Sequence, residues 1–388
     1  VFLILALCFQ NIKILRIISS LDKKYGGPPT TIIDNSIVLN QNGFEVDIVT
    51  SDPINSNFSI SKKLNIINLG PAIGNYKFNL KLFFWLIKNK EKYDKFIIHG
   101  IWQFNTLIAR LVLKKKYFIF THGQLDPFFY KEKFKVIKKF FYWTLFEKKN
   151  LLQSDSLLLT SKDEQKNIKN TFVNTVGIKS TVISYGILKP NINIYESKKK
   201  FKQKYRIFKN TKFLLYIGRF HEKKGCDTLI RSIKKIIDQK FNIKILMIGP
   251  NSSHKNKLKD LTNNLNLRKN IYWMGPLYDD LKWGAIASSE GMVLASNGEN
   301  FGVSIAESLS LGTPVIITNK VNIYREILEY KCGLVANNSI EDFSKTIIKF
   351  LKLNKKKKNK MKVNSKLCFN DKFNLKFNQN KLISILKR

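Results

Sequence analysis

The sequence predicts an α/β protein with two domains, each built around a parallel β-sheet, and two observations carry this prediction. Short β-branched runs alternate with longer amphipathic stretches, which is typical of strand–helix–strand units. This alternation stops near the middle of the chain and then starts again. With 388 residues, 44% of them hydrophobic, the chain is long enough to bury two cores of ordinary size.

Strand candidates occur in both halves of the chain, with helical periodicity between most of them. In the first half they are residues 12–18, 46–50, 96–99, 117–121, 156–160 and 181–183. In the second half they are residues 213–217, 243–248, 271–274, 291–295 and 314–318. We therefore expect one parallel sheet in each half.

The hinge between the domains is expected where residues 184–190, which carry Gly and Pro, precede the lysine-rich residues 198–204. With the boundary near Tyr185, the predicted units are 12–185, 186–364 and a helical tail at 365–388. Residues 1–11 are apolar but shorter than the about 20 residues that span a bilayer, and they lack the features of a signal peptide. We interpret residues 1–11 as an extension upstream of the fold, and whether they are native is left open.

The charge balance is strongly basic, with 68 Lys and Arg against 28 Asp and Glu and a net charge of +40. Such a balance raises nucleic acid or an anionic membrane surface as partners. Lysine also recurs where no motif stands, so we interpret most of the charge as solvated surface. A nucleic-acid-binding protein is the alternative from another class, but no recognised binding module or aromatic stacking pattern accompanies the charge, and no nucleic acid is expected.

No metal ion is predicted. There is no D-x-D motif, and Asp279 and Asp280 lie at a predicted helix start without such a context. The cysteines are scattered and form no C-x-x-C pair, which indicates neither a zinc site nor a disulfide framework and fits a reducing cytoplasm. They are Cys8, Cys226, Cys332 and Cys368.

The strongest motif is S-N-G-E-N-F-G-V-S-I-A-E-S-L-S-L-G-T-P at residues 296–314, directly after a strand candidate. Glu299 lies in the loop at the carboxyl end of that strand, and Glu307 lies in a helix expected to begin near Gly302. Ligands of open parallel sheets bind at this edge, and a carboxylate can hold both hydroxyls of a diol. Two exposed acids beside an ordinary turn are the alternative, but in so acid-poor a chain the pattern favours a binding site.

A second motif, Y-I-G-R-F-H-E-K-K-G at residues 216–225, also leaves a strand candidate and enters a helix expected to begin near Asp227. Arg219 can contact a phosphate through two N–H groups, and Lys224 adds a compact positive charge. Together they are candidates for neutralising a diphosphate.

The combination of G-R-x-x-x-x-K-G, E-N-F-G-x-x-x-x-E and G-x-P-V resembles family 4 of the retaining glycosyltransferases over most of the chain. The resemblance implies the GT-B fold, with two Rossmann-like domains facing an interdomain cleft, the first for the acceptor and the second for the donor. It also implies transfer of a hexose-type sugar from a nucleotide diphosphate sugar to a glycan or lipid-linked acceptor, in bacterial surface polysaccharide synthesis, with no cofactor. A nucleotide-sugar epimerase or a phosphorylase of the same fold is the alternative.

By this resemblance each motif residue acquires a role toward the donor. Arg219 and Lys224 match the diphosphate-binding pair, and Glu299 lies at the transferred sugar. Attack on the face that the nucleotide leaves is expected, with a covalent intermediate on Glu299 as the rival scheme. The backbone of Phe301, Gly302 and Val303 contacts the donor in that family, and Glu307 matches the acid that lies at the ribose.

In the first half, Y-G-G-P-P-T at residues 25–30 resembles the glycine loop of the family, with Gly26 and Gly27 allowing close approach and Thr30 expected to start a helix. A plain strand-to-helix turn is the alternative.

His122 and His99 each end a strand and precede glycine, which places them at the ligand edge. His122 resembles the active-site histidine of some family members, His99 is assigned to the acceptor side, and a structural role is the alternative for both.

Residues 131–150 interleave lysines with apolar residues in a pattern compatible with a basic helix at a membrane interface. The protein would then be cytoplasmic, with peripheral contact to the anionic inner face of the plasma membrane. A core-packing helix with one wet face is the alternative and the more common role. The residues of the pattern are Lys133, Phe134, Lys135, Ile137, Lys138, Lys139, Phe140, Phe141 and Trp143.

Overall fold

Two parallel β-sheets organise the chain, and the α/β prediction with two Rossmann-like domains is confirmed. The structure is a computed structural model that describes residues 12–388 except 23–24, 57, 59–63, 115–116, 127–132, 169–176 and 184. The predicted extension at residues 1–11 lies outside the described residues.

The described part of the first domain forms a seven-stranded sheet in the order β3-β2-β1-β4-β5-β6-β7, with neighbouring strands parallel. Its strands are β1 Lys13–Ile18, β2 Glu45–Pro53, β3 Asn65–Gly70, β4 Lys95–His99, β5 Tyr117–Phe120, β6 Ser156–Leu159 and β7 Ser180–Val182. Its helices are α1 Gly27–Gln41, α2 Leu80–Asn89, α3 Phe104–Leu113, α4 Lys133–Tyr142, α5 Lys148–Leu152 and α6 Lys162–Ile168, and a π-helical segment, Trp143–Glu147, joins α4 to α5.

The second domain forms a six-stranded parallel sheet in the order β10-β9-β8-β11-β12-β13. Its strands are β8 Leu214–Ile217, β9 Ile245–Ile248, β10 Ile271–Met274, β11 Gly291–Leu294, β12 Val315–Thr318 and β13 Gly333–Ala336. The helices of this half are α7 Ile194–Lys204, α8 Cys226–Asp238, α9 Ser253–Asn264, α10 Asp279–Ser288, α11 Val303–Ser310, α12 Tyr324–Glu329, α13 Ile340–Leu351, α14 Lys355–Cys368, α15 Leu375–Asn378 and α16 Asn380–Leu386.

Every predicted strand is present, and β3 and β13 were not predicted. Both lie at an edge of their sheet. The side chains of β3 are mostly half-buried, whereas β5 and β11 are buried along their whole length. The edge strands β7 and β10 were predicted, so edge position alone does not explain the miss. β3 and β13 are only partly buried, and their apolar runs are too short for the hydrophobic pattern to reveal them.

In both sheets the strand order reverses beside the first strand, so β1 lies between β2 and β4, and β8 lies between β9 and β11. Ligands of open α/β sheets bind outside the carboxyl ends of the strands at such a switch point. The loops that follow β1, β4, β8 and β11 carry the sequence motifs. The topology therefore brings the motifs to one edge of each sheet.

The chain crosses between the domains twice, and the two crossings are hydrogen-bonded to each other. Ile187 N–H donates to the Phe373 carbonyl at 3.0 Å, and Leu375 N–H donates to the Ile187 carbonyl at 3.1 Å. A Cβ added at Gly186 would lie 2.0 Å from the Phe373 carbonyl oxygen, so only glycine fits there. Residues 198–204, predicted to adjoin the hinge, form part of α7, which packs against α10.

The predicted tail divides between the two domains. Cys368, Phe369 and Phe373 belong to the core of the second domain. After the second crossing, Leu382 and Leu386 of α16 pack into the core beneath the first sheet. The tail therefore completes both domains rather than forming a separate unit.

We expect Leu386→Ala to lower the free energy of unfolding by about 2–5 kcal/mol, because it leaves a cavity where the wild-type side chain is 0% exposed. Urea unfolding followed by tryptophan fluorescence measures this change. Leu367→Ala is the matched control, since Leu367 on α14 is 49% exposed and its loss should cost less than about 1 kcal/mol. Equal losses would contradict the docking of α16.

Candidate functional site

The loops at the carboxyl edges of the two sheets touch at glycine positions. A Cβ added at Gly27 would lie 2.6 Å from Val303 Cγ2, and one added at Gly123 would lie 2.9 Å from the Cβ of Asn300. Gly26, with φ +94°, lies against the guanidinium of Arg219. The glycine loop predicted in the first domain therefore meets both motifs of the second domain.

Ion pairs between the domains add to these contacts. Lys223 Nζ lies 3.3 Å from Asp126 Oδ2, and both side chains are largely buried. Arg325 forms an ion pair with Asp163. The two domains are thus held together by charge, between loops and between helices α6 and α12, as well as by backbone contact.

The helix after the glycine loop begins earlier than predicted. α1 begins at Gly27 rather than at Thr30, because proline fits the first turn of a helix, where its missing N–H is not needed. Pro28 and Pro29 occupy that turn. The hydroxyl of Thr31 donates to the Pro28 carbonyl at 3.0 Å and also contacts the hydroxyl of Tyr185 in the linker.

The loop after β8 carries Arg219 and Lys224. A 3₁₀ turn, Glu222–Lys224, precedes Gly225, where a Cβ would lie 1.8 Å from the Ala295 carbonyl oxygen. The Lys223 carbonyl accepts hydrogen bonds from the loop after β11 at 2.8 Å. This close approach sets Lys224 against the second motif, and Arg219 stays exposed beside the glycine loop.

The two predicted acids are each paired with a lysine. Glu299 forms an ion pair with Lys224, which joins the two motifs directly. Glu307, on α11, pairs with Lys282 at 2.7 Å and is 8% exposed. Lys282 also lies 4.2 Å from the centre of the Trp283 ring.

The segment between the acids is fixed by aromatic packing and by a left-handed glycine. The Phe301 ring lies edge-on to Tyr185 and Phe373, with ring centres 5.0 and 5.6 Å apart. Gly302 has φ +76° and precedes the first turn of α11. The Ile305 and Ala306 N–H groups donate to the Gly302 carbonyl, which leaves those of Val303 and Ser304 without a partner among the described residues. Unpaired N–H groups at the start of a helix can bind an anion or a hydroxyl.

His122 follows β5, and His99 is the last residue of β4. His99 Nδ1 lies 3.0 Å from His122 Nε2, and the rings are stacked with centres 5.2 Å apart. His99 is 3% exposed, so it lies behind His122 rather than toward an acceptor. Burial, reinforced by the positive charge of Arg16, lowers the pKa of His122 to about 3 and the pKa of His99 well below its usual range.

Arg16 is a site residue that the sequence reasoning missed, because it lies inside a strand candidate. Its side chain is 1% exposed and donates to the Ile32 carbonyl, to Ser36 Oγ and to Asn35 Oδ1. No carboxylate among the described residues forms an ion pair with it. The signal that could have found it is a charge in the middle of an apolar strand, flanked by Leu15 and Ile17, which is rare because burial of a charge is costly.

Glu164 is a second missed residue, and it holds the loop that carries His122. One carboxylate oxygen accepts from Thr121 Oγ1 at 2.6 Å and from Gly123 N–H at 3.0 Å. The other accepts from the N–H and the hydroxyl of Thr160 at 2.7 and 3.0 Å. Since His122 has φ +49°, an unfavourable value for a non-glycine residue, these bonds stabilise its backbone. The S-x-x-E pattern beginning at Ser161 was the available signal.

Asp34 of α1 also lies at the interface between the domains. Its Oδ2 accepts from Leu188 N–H at 3.1 Å. Burial raises the pKa of Asp34 to about 6; the charge of Glu307 adds to the rise, and the Leu188 hydrogen bond and Lys282 oppose it.

In the described part of the chain, no group of three or more His, Cys, Asp and Glu side chains could hold a metal ion.

Comparison with known sequences adds a family match for the second domain. The family model of glycosyl transferases group 1 matches residues 197–367. An uncharacterized glycosyltransferase of Methanocaldococcus jannaschii is 36% identical over 35% of this chain and 35% of its own length. The alpha-1,3/1,6-mannosyltransferase ALG2 of Dictyostelium discoideum is 26% identical over 46% of each chain, and the capsular polysaccharide biosynthesis glycosyltransferase CapM of Staphylococcus aureus is 29% identical over 40% of each. The chain thus matches less than half the length of these relatives.

Solved structures of similar shape cover nearly the whole chain. Sucrose-phosphate synthase of Thermosynechococcus elongatus has a TM-score of 0.76 at 16% identity and covers 97% of this chain and 99% of its own. WaaG, a glycosyltransferase involved in lipopolysaccharide biosynthesis, has a TM-score of 0.71 at 16% identity and covers 96% and 99%. HepE of Anabaena, in complex with UDP and glucose, has a TM-score of 0.72 at 13% identity and covers 97% and 100%. At these identities the likeness shows the fold, which is GT-B.

We expect Asp34→Asn to stabilise the protein in a pH-dependent way. Asp34 binds its proton up to about pH 6 when folded but only to about pH 4 when unfolded, so its contribution to stability falls as pH rises through this window. Asn keeps the acceptor for Leu188 N–H and cannot ionise. The free energy of unfolding of the variant should exceed that of the wild type by roughly 2–3 kcal/mol at pH 7.5 and by much less at pH 4.

Urea unfolding across this pH range measures the difference. Asp238→Asn on the exposed end of α8 controls for the change from acid to amide. A difference that is the same at both ends of the range would contradict the burial of an ionised Asp34.

Proposed function

Starting from a GT-B fold whose second domain matches the glycosyl transferases group 1 model, we propose that this chain is a retaining glycosyltransferase. It transfers a hexose from a nucleotide diphosphate sugar to a glycan or lipid-linked acceptor. The observation that carries the proposal is the direct pairing of the two motifs, Lys224 with Glu299, opposite the glycine loop. The second domain holds the donor, and the first domain holds the acceptor.

The diphosphate binds between the loop after β8 and the first turn of α11. Arg219 and Lys224 supply positive charge, and the free N–H groups after Gly302 donate to phosphate oxygens. These groups are held before the donor arrives, so little reorganisation accompanies the development of charge on the leaving group. Glu307, oriented by Lys282, accepts hydrogen bonds from the ribose hydroxyls.

Sugar transfer takes place on the face from which the nucleotide leaves. The bond from the anomeric carbon to the phosphate oxygen breaks, and the acceptor hydroxyl forms the new bond. Its proton passes to the departing phosphate oxygen. Glu299 forms an ion pair with Lys224, and in this scheme its carboxylate orients the sugar. The rival scheme, with a covalent intermediate on Glu299, requires that ion pair to open.

Donor entry requires the domains to separate. Gly27 and Val303 are in van der Waals contact, as are Gly123 and Asn300, so the facing loops leave no gap at these points. Closure over the bound donor then excludes water and aligns the acceptor.

The names of the relatives narrow the candidates for donor and pathway. The Dictyostelium relative is a mannosyltransferase, and the Anabaena structure holds UDP and glucose. GDP-mannose and UDP-glucose are therefore the first donors to test. CapM and WaaG take part in polysaccharide and lipopolysaccharide synthesis, and we propose bacterial surface polysaccharide synthesis in the cytoplasm for this chain.

We expect one nucleotide class to raise the unfolding temperature of the wild type in a panel of UDP-, GDP- and ADP-sugars. A ligand at 100 times its Kd adds about 2.7 kcal/mol to the free energy of unfolding. Arg219→Ala and Glu307→Gln should remove the shift, because each removes a donor contact. Arg231→Ala, on the exposed face of α8, is the matched control and should retain it.

Absence of a shift with every nucleotide sugar would overturn the donor site. Product analysis with the stabilising donor separates transfer from the alternatives, since an epimerase releases an isomeric nucleotide sugar and a phosphorylase requires free phosphate.

We also propose that α4 contacts an anionic membrane. The core-packing alternative requires its apolar residues to be buried, yet Ile137, Phe140 and Phe141 are 53%, 51% and 61% exposed. Leu145 in the following π-helical segment is 59% exposed, and Trp143 is buried. Exposed apolar side chains next to lysines suit the boundary between lipid tails and anionic headgroups. Among the described helices, none is long and apolar enough to cross a membrane.

We expect the wild type to float with vesicles that contain anionic lipid and not with neutral vesicles. Ile137→Asn combined with Phe141→Ser should abolish flotation, because it removes two apolar side chains from the contact. Val363→Asn is the control, since Val363 on α14 is 59% exposed in the second domain. Failure of the wild type to float with anionic vesicles would contradict the membrane contact.

A further inference from the structure

We propose that His99 is a positioning residue that fixes the tautomer of His122, so that His122 offers the cleft an N–H donor and does not act as a base. The ligand of that donor, a sugar hydroxyl, rests on the proposed function. The tautomer itself rests on the arrangement of three side chains: His99, His122 and Arg16.

The two rings are held in a fixed relation. The rings of His99, His122 and Phe120 all touch one another, with His99 5.2 Å from each of the other two ring centres and Phe120 5.6 Å from His122, and their planes lie within 25° of each other. The 3.0 Å separation of His99 Nδ1 and His122 Nε2 is that of a hydrogen bond. Because two neutral rings share one contact, a single proton lies between these nitrogens.

The rest of the His99 ring decides which nitrogen carries that proton. His99 Nε2 is buried and has no hydrogen-bond partner among the described residues. If His122 donated to His99, the proton of His99 would lie on Nε2, as a buried N–H without an acceptor. Buried donors without a partner are rarer in proteins than buried acceptors without one. His99 therefore donates from Nδ1, and its Nε2 carries the lone pair.

The position of Arg16 supports the same assignment. Arg16 pairs with Ile97 in the register of β1 and β4, and His99 lies two residues further along β4 on the same face. The guanidinium is fully buried, and its Nε also has no partner among the described residues. A lone pair on His99 Nε2 is attracted by this positive charge, whereas an N–H would be repelled. The same charge disfavours protonation of both rings.

With Nε2 of His122 occupied as an acceptor, its proton lies on Nδ1. The structure gives Nδ1 no partner in the described part of the chain, so it is the ring nitrogen left for a ligand. A neutral N–H can donate to a sugar oxygen but cannot remove a proton from an acceptor hydroxyl. This fits proton transfer to the departing phosphate oxygen.

Nitrogen-15 NMR of protein labelled only at histidine reads the tautomer directly. The sequence has four histidines, so few signals overlap, and loss of signals in His122→Asn assigns those of His122. We expect the spectrum at pH 7 to show His122 protonated on Nδ1 only. A proton on Nε2, or a doubly protonated ring, would overturn the proposal.

Three variants at His99 separate positioning from packing. Asn places an amide N–H where Nδ1–H lies and should retain the tautomer of His122, with kcat near that of the wild type. Gln places its amide further from the backbone, and Phe keeps the stacking without a donor. Both should lose the tautomer and lower kcat by at least about 10-fold, the lower end of the loss that follows when the outer partner of a metal-bound histidine is removed, while the KM for the donor changes little.

Unfolding temperatures of the variants confirm that each is folded. A His99→Phe protein with wild-type kcat and an unchanged His122 tautomer would refute the role of His99. If the wild type transfers no sugar, the proposed function fails, and the NMR assignment of the tautomer still decides this inference.

Discussion

Contact between the carboxyl edges of two parallel sheets is the constraint on which the rest of the molecule depends. Both sheets reverse their strand order beside the first strand, so each places its motif loops at one edge. The edges can meet because Gly27 and Gly123 lack side chains where the opposite domain comes within contact distance. The contact of Gly26 with Arg219 and the ion pair of Lys223 with Asp126 both require this approach.

Charge is distributed differently inside the cleft and outside it. In a chain of net charge +40, Glu299 and Glu307 are each matched by a lysine. Arg16 has no such match among the described residues, and its buried charge favours neutral histidines beside it. The cleft thus combines paired acids, exposed cations and neutral rings. This combination suits an anionic ligand that also carries hydroxyl groups.

The sequence predicted what depends on local pattern. Central strands show as β-branched runs, and the motif loops follow them directly, so the fold and the placement of Arg219, Glu299 and Glu307 could be read from the chain. The contact of His99 with His122 could not, because it depends on the register of β4 with β5, which pairs His99 with Phe120. The return of α16 to the first domain depends on packing between segments more than 300 residues apart, such as Leu39 and Leu386, and no local pattern encodes it.

The double crossing between the domains has a mechanical consequence. A single flexible connection would let two bodies swing, tilt and twist about three axes. Two neighbouring connections, hydrogen-bonded through Ile187, Phe373 and Leu375, suppress twisting of one domain relative to the other and leave one main hinge axis. The opening and closing proposed for donor entry would follow that axis, so the facing edges would separate and meet again in the register that sets Gly27 against Val303.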